Sequence, residues 1–376
     1  MSSGGPTVVC AFGTRPEASK MAPVVHALKK RSDLTVRTLV TAQHREALDA
    51  MMTRFALSSD IDLDVMTPRQ TLTDLVGRML PGLADAYETL QADLVLVHGD
   101  TATTFAAALA AFYAGIPVGH VEAGLRTFDL TQPFPEEANR KMTDALAALH
   151  FAPTQQAATH LQAEGFEGET VFITGNTAVD ALRWVEQDGV SRGDPADVLI
   201  TLHRRENLAI MGELAGAIGR VASRHETLRF LWPLHPNPAV RDAVQGPLKH
   251  LPNVKLTEPL PYDTMVQSVR AAKLVLTDSG GLQEEGPALG THVAVVRAVT
   301  ERPEGIEAGV CHLLGVDPEA VERGLERLLA SDLSWPVWPT GSTPYGDGQA
   351  ASRIAQAVAF HFGLDERPRD WSFKQG

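Results

Sequence analysis

Short β-rich apolar runs alternate with longer helix-period segments along the whole chain, and this rhythm limits the fold more than any other property. Runs at 7–12, 34–40, 93–97 and 117–121 read as strands, and segments at 16–31, 44–55, 71–90 and 101–113 as helices. Leu94-Val-Leu-Val97 lacks polar alternation, as expected of a parallel strand covered on both faces. A second series begins near Asp197, with strands at 198–201, 229–233, 254–256, 274–277 and 293–296 and helices between them. Strand–helix alternation implies right-handed crossovers and doubly wound parallel sheets. At 376 residues the chain exceeds one compact core. The expected class is therefore α/β, with two Rossmann-like domains, 1–185 and 190–350, facing a cleft. Residues 188–195 are the best linker. A final helix at 349–362 follows a Pro/Gly-rich stretch, and the C-terminal segment from about 355 to 376 is expected to pack back, as helix, on the first domain.

Bulk properties exclude several functions. A formal net charge of −13 argues against nucleic acid as a general partner, though not against a small phosphate ligand. The two cysteines, Cys10 and Cys311, make no disulfide framework, and a reducing cytoplasm fits best. The first residues lack a basic region followed by an apolar signal core. The most membrane-like stretch, 105–118, falls short of the ~20 residues a span needs, and Gly115-Ile-Pro117 breaks it.

In open α/β sheets, ligands bind beyond the carboxyl ends of the strands, so residues just after strands are the ones to read for chemistry. The first strand runs into Gly13-Thr-Arg15-Pro-Glu17-Ala-Ser-Lys20, where Pro16 suits a first helical turn and Arg15 and Lys20 add positive charge. This predicts an anion cradle without the spacing of a Walker loop. Asp100 and Glu122 each follow a strand. Capping of the helix at 101–113 explains Asp100 as well as catalysis does. Glu122 precedes Ala-Gly and has a weaker structural explanation. Glu136 follows Pro133-Phe-Pro135, where Glu136 or Glu137 could favour a helix N-terminus. Clustered carboxylates separate one another's acidities, which suits paired acid and base work.

In the second series, His203-Arg-Arg-Glu-Asn207 and His235-Pro-Asn237 follow strands. Neither segment holds a second His or Cys at ligand spacing, so a metal is not expected. Thr277-Asp-Ser279-Gly280-Gly281-Leu-Gln-Glu-Glu285 is the sharpest local signal. A strand ends, two glycines permit close backbone approach and a helix begins, which suits pyrophosphate on the amides. A carboxylate about a turn later could take ribose hydroxyls. The spacing is not GxGxxG and does not indicate NAD.

Taken with Gln43-His44-Arg45, Thr300-Glu-Arg-Pro-Glu304 and Pro344-Tyr-Gly-Asp-Gly348, these motifs resemble, in order and over roughly 7–362, the non-hydrolysing bacterial UDP-N-acetylglucosamine 2-epimerases. The resemblance implies a GT-B type fold and reversible interconversion of UDP-GlcNAc and UDP-ManNAc. It implies loss of UDP to give 2-acetamidoglucal and re-addition with the proton on the other face of C2, without cofactor or metal. Position by position, Asp100, Glu122, Glu136 and His203 match catalytic residues. Arg15, Lys20, His235, Ser279, Gly280, Gly281 and Glu285 match substrate-binding ones. Gln43, His44 and Arg69 match a second UDP-GlcNAc site that activates the enzyme. A homodimer is implied, with UDP-sugars and UDP as partners and neither nucleic acid nor membrane. The chain departs from the family pattern at Glu46, Phe128, Gly286, Ala298-Val299 and Leu208–Met211. An epimerase of the same mechanism on a modified UDP-HexNAc is the alternative. A hydrolysing relative, a glycosyltransferase of the same fold and a non-catalytic UDP-sugar sensor follow behind it.

Overall fold

The computed structural model describes residues 4–42, 45–67, 70–166, 168–187, 196–331, 333 and 342–373. The expected linker at 188–195 lies outside them. The first series runs β1 (Thr7–Phe12), α1 (Arg15–Lys29), β2 (Thr35–Val40), α2 (Arg45–Arg54), β3 (Ile61–Asp62), α3 (Leu72–Leu90), β4 (Leu94–His98), α4 (Ala102–Tyr113), β5 (Val118–Val121), α5 (Glu136–Leu146), β6 (Leu149–Ala152), α6 (Gln155–Ala163), β7 (Val171–Ile173) and α7 (Thr177–Gln187). The second runs β8 (Val198–Thr201), α8 (Met211–Arg224), β9 (Phe230–Pro233), α9 (Pro238–Leu248), β10 (Val254–Thr257), α10 (Tyr262–Ala271), β11 (Leu274–Thr277), α11 (Gly280–Ala288), β12 (His292–Val295), α12 (Glu304–Glu307), β13 (Cys311–Leu313) and α13 (Pro318–Ala330), followed by α14 (Ala350–His361). The chain forms two compact units, divided between Ala181 and Leu182 within α7, and it rejoins the first unit at Tyr345.

In the first unit the strand order is β3-β2-β1-β4-β5-β6-β7, all pairings parallel. The winding reverses between β1 and β4, so the loops after those two strands flank the switch point. All five residues of β4 are buried, as the unbroken apolar run requires. Val9, Ala11, Val95 and Val97 pack against Met79, Leu83 and Tyr87 of α3 and the alanines of α4. That core absorbs most of the apolar stretch at 105–118, which ends in a turn at Gly115. No helix among the described residues is long and apolar enough to cross a membrane.

The second unit repeats the winding in the order β10-β9-β8-β11-β12-β13, with its reversal between β8 and β11. One face packs Trp232, Leu276 and Ile200 against α8, α9 and α13, and the other packs Leu199, Val275 and Val293 against α10 and α11. Gly286 has a packing reason. A Cβ there would lie 2.3 Å from Val293 Cγ2.

The returning chain is built into the first unit. Asp180 accepts from the Ala350 and Ala351 amides at 3.2 and 3.0 Å, closing the first turn of α14, which packs on α1. The helix stops at His361 rather than continuing toward 376, and Gly363 takes a left-handed φ of 70°. Beyond it, Trp371 N donates to Ile173 O at 2.7 Å and Asp370 accepts from Ile173 N at 2.8 Å, so the tail borders β7.

Candidate active site

The loop after β1 is closed by its own carboxylate. Thr14 caps α1 in a reciprocal box with Glu17, and Pro16 occupies the first turn. Glu17 Oε2 accepts from the Gly13 and Thr14 amides at 3.1 and 2.8 Å, and Oε1 accepts from Thr101 and Thr104 hydroxyls at 2.8 and 3.1 Å. The Gly13 and Thr14 amides are thus filled from within. Arg15 remains half-buried at the helix start.

The loop after β4 presents Asp100. Its ambiguity is resolved by Thr101, which caps α4 in a box with Thr104. Asp100 is not the cap, and its carboxylate instead pairs with the Arg140 guanidinium. Asn139 Nδ2 donates to Asp100 O at 2.9 Å. Both grips come from α5, three and four residues after Glu136, so the helix face carrying Glu136 is the one that holds Asp100. Glu137 is buried and plays a different part. It accepts from the Thr127 and Phe128 amides at 3.1 and 3.0 Å and from Arg140 at 2.9 Å. These bonds hold Phe128 in a left-handed φ of 63°.

Glu122 follows β5, the hydrogen-bonded neighbour of β4, with His98 opposite Val121 in the register. The two acids therefore leave adjacent strands at one sheet edge. Glu122 has a φ of 70°, a conformation a non-glycine residue holds only where its surroundings impose it. Its amide donates to Phe151 O at 3.1 Å, its carboxylate pairs with Lys20, and Asn176 Nδ2 donates to Oε2 at 3.0 Å. His98 Nε2 stands 3.5 Å from the same oxygen. Lys20, matched by the resemblance to a substrate-binding residue, pairs with Glu122.

Beneath these acids lies a buried ionic set. Asp144 contacts His120 Nδ1 at 2.6 Å and Arg126 Nη2 at 2.6 Å. Burial alone would raise its pKa, but the His120 and Arg126 charges outweigh it and hold the carboxyl down at about 2.

The second unit builds its loops around Asp278. This fully buried carboxylate accepts from the His203 amide at 3.0 Å, the Arg204 amide at 2.9 Å and Asn207 Nδ2 at 3.0 Å. It thereby ties the loop after β8 to the loop after β11, across the switch point. The His203 ring is exposed and stacks on His235, with centroids 5.4 Å apart and planes 8° off parallel. Ser279 caps α11 by backbone alone, with no side-chain bond to the first amides. No side-chain bond closes those amides, in contrast to the start of α1. A Cβ at Gly280 would meet Arg302 Nη1 at 2.8 Å, whereas at Gly281 the nearest atom is Ser279 Oγ at 4.0 Å. Arg302 is itself fixed by buried Glu284, Nε to Oε1 at 2.6 Å. Glu285 is half-buried on the same helix.

Gln43, His44 and Arg69 lie outside the described residues. Sequence reasoning assigned no role to His98, His120, Asn139, Asp144, Asn176 or Asp278. Their signal was weak: each is a polar residue near a strand end or on a helix, and only the packing shows that each is buried and close to a loop that carries a candidate residue.

Residues 26–359 match the family model of UDP-N-acetylglucosamine 2-epimerase. Among named relatives, the UDP-N-acetylglucosamine 2-epimerase of Bacillus subtilis is 45% identical over 370 residues, covering 96% of this chain and 97% of that protein. The Staphylococcus aureus MnaA–UDP structure superposes with a TM-score of 0.92 at 40% identity, covering 98% of this chain and 100% of that one. The Neisseria meningitidis UDP-GlcNAc 2-epimerase bound to UDP-GlcNAc gives 0.88 at 40% identity, covering 94% and 100%.

Proposed function

Since the chain belongs to the UDP-N-acetylglucosamine 2-epimerase family, we propose that it interconverts UDP-GlcNAc and UDP-ManNAc. The observation that carries this reading is the delivery of Asp100 and Glu122 to one sheet edge, with Glu136 on the helix that grips Asp100.

The C2 hydrogen of the sugar is not acidic by itself. A base takes it while the C1–O bond to UDP breaks, the C–H electron pair forming the C1=C2 double bond of 2-acetamidoglucal. Re-addition of UDP, with the proton delivered to the opposite face of C2, completes the inversion. Proton transfer by positioned side chains contributes ~10²–10⁴-fold each. Asp100, Glu122 and Glu136 supply the groups for it. Lys20 pairs with Glu122 in a buried setting, and Arg140 pairs with Asp100. In the second unit the open amides at Gly280 and Gly281, with His203 and His235 on the loops after β8 and β9, suit the diphosphate whose charge grows as it departs. Glu285 is assigned to the ribose and Arg15 to the anion.

The same reading makes the protein a cytoplasmic homodimer activated by a second UDP-GlcNAc at Gln43, His44 and Arg69. Sedimentation and the shape of the rate curve against UDP-GlcNAc test those two points.

The deciding experiment is incubation with UDP-GlcNAc in D₂O, followed by NMR at C2. UDP-ManNAc with deuterium at C2 is expected. No deuterium and no UDP-ManNAc at saturating substrate would refute the assignment. Turnover confined to a modified UDP-HexNAc would move it to the alternative substrate.

A further inference from the structure

One carboxylate links the loops that carry two of the three acids. Asp144 and His120 are both fully buried. His120 Nε2 lies 2.7 Å from Gly99 O, the carbonyl immediately before Asp100, and Nδ1 lies 2.6 Å from Asp144 Oδ1. Gly99 O and the Asp144 carboxylate are both acceptors, so each ring nitrogen faces an acceptor. The other oxygen of Asp144 accepts from Gly124 N at 3.3 Å and Arg126 Nη2 at 2.6 Å. Gly124 stands two residues after Glu122, at a φ of 85° where a Cβ would meet Ala157 O at 2.3 Å. Arg126 is anchored in turn by Glu164, with bonds of 2.9 and 2.6 Å.

We propose that Asp144, acting through His120 on one side and Gly124 with Arg126 on the other, is a positioning residue that fixes the Asp100 and Glu122 loops relative to each other. The role deepens the epimerase reading and rests on it. Asp144 lies one helical turn beyond Arg140, which holds the Asp100 carboxylate, so α5 grips both loops from one buried face. Stability alone gives no reason for this arrangement, because well-packed apolar side chains commonly replace buried ion networks without loss. A fixed relation between two proton-transfer groups does give one, since misplacement by about 1 Å can cost ~10²-fold in rate.

The test uses the full-length protein with Asp144→Asn, His120→Gln, His120→Ala and the Asp144→Asn/His120→Gln pair. Turnover, UDP affinity by calorimetry, amide exchange and nitrogen NMR of the His120 ring are measured. Asp144→Asn is expected to lower kcat ~10²-fold while KM and the UDP Kd stay within about threefold. Exchange is expected to rise together in residues 99–104 and 122–126, with the other strands unchanged. The His120 ring should show two protonated nitrogens in the parent and lose that signature in Asp144→Asn. His120→Gln, which retains a donor for Gly99 O, should recover about tenfold over His120→Ala, and the pair should be no worse than its more severe single. Unchanged kcat, additive losses or a uniform rise in exchange over the sheet would overturn the proposal. A parent protein without epimerase activity would sink the functional reading alone, and the exchange and NMR results would still decide the positioning role.

Discussion

The Lys20 ammonium closes on the Glu122 carboxylate where the two side chains are 8% and 6% exposed. They come from α1 and from the end of β5, 102 residues apart in the sequence. An isolated charge at such depth is expensive, and removing one partner of a buried pair costs about 3–5 kcal/mol. Lys20→Met should therefore destabilise the protein by roughly that amount and lower kcat by ~10²-fold or more. Lys20→Met combined with Glu122→Gln should be more stable than Lys20→Met alone, since no unpaired charge remains. Urea denaturation of the four proteins in the cycle checks this, and a double variant less stable than either single would contradict it.

Thr101 and Asp100 are neighbours with separable tasks. Thr101→Ala removes the cap of α4 and should cost about 1 kcal/mol of stability. Asp100→Asn leaves the cap intact and should cost ~10²–10⁴-fold in turnover with little change in stability. Parallel denaturation and rate measurements distinguish the two. A large stability loss in Asp100→Asn would return that residue to a structural role.

The two glycines of α11 should respond differently. Gly280→Ala forces a Cβ toward Arg302 Nη1 and should destabilise the second unit by about 1–3 kcal/mol. Gly281→Ala has room in the protein alone and should leave the melting temperature unchanged. If the diphosphate rests on these amides, the same methyl group should still weaken UDP binding by about tenfold or more, a loss of about 1.4 kcal/mol. Calorimetry with UDP decides it.

His312 gives a pH dependence of known sign. Burial, then the adjacent His292 and Arg327, push its ring down to about 4 from the ordinary 6.5. Between those values the unfolded chain takes up a proton that the folded one refuses, so stability falls as pH drops from about 6.5 to 4. His292 Nδ1 lies 3.3 Å from His312 Nε2, with the rings stacked at 5.5 Å. The drop in melting temperature from pH 7.5 to 5 should be smaller in His312→Asn than in the parent. An equal drop would remove His312 as a source of acid sensitivity.

Much of the framework was legible before any coordinates. Unalternated Val/Leu runs marked parallel strands, and glycine and proline punctuation marked their ends. The doubled winding followed, with both sheets reversing where the candidate loops lie. The motifs also placed Asp100, Glu122, Glu136 and the Gly280-Gly281 turn. These are local signals, carried by periodicity and turn chemistry within a few residues. The final helix was read to within a residue at each end, but the expectation of helix on toward 376 failed, because the stop depends on Gly363 and on the tail turning to border β7.

The sequence by itself therefore determined the strand–helix rhythm, the two-sheet winding and which acids follow which strands. Tertiary structure decided what each charge is for. It showed that Glu17 fills the α1 loop, that Thr101 rather than Asp100 caps α4, that Lys20 answers Glu122, and that Asp144 joins two loops through His120. The physical reason is that a buried charge must find its partner wherever the fold brings one. The charged partners of Asp144 and Glu122 lie 18 to 102 residues away along the chain. Local pattern fixes elements, and only packing assigns counter-charges.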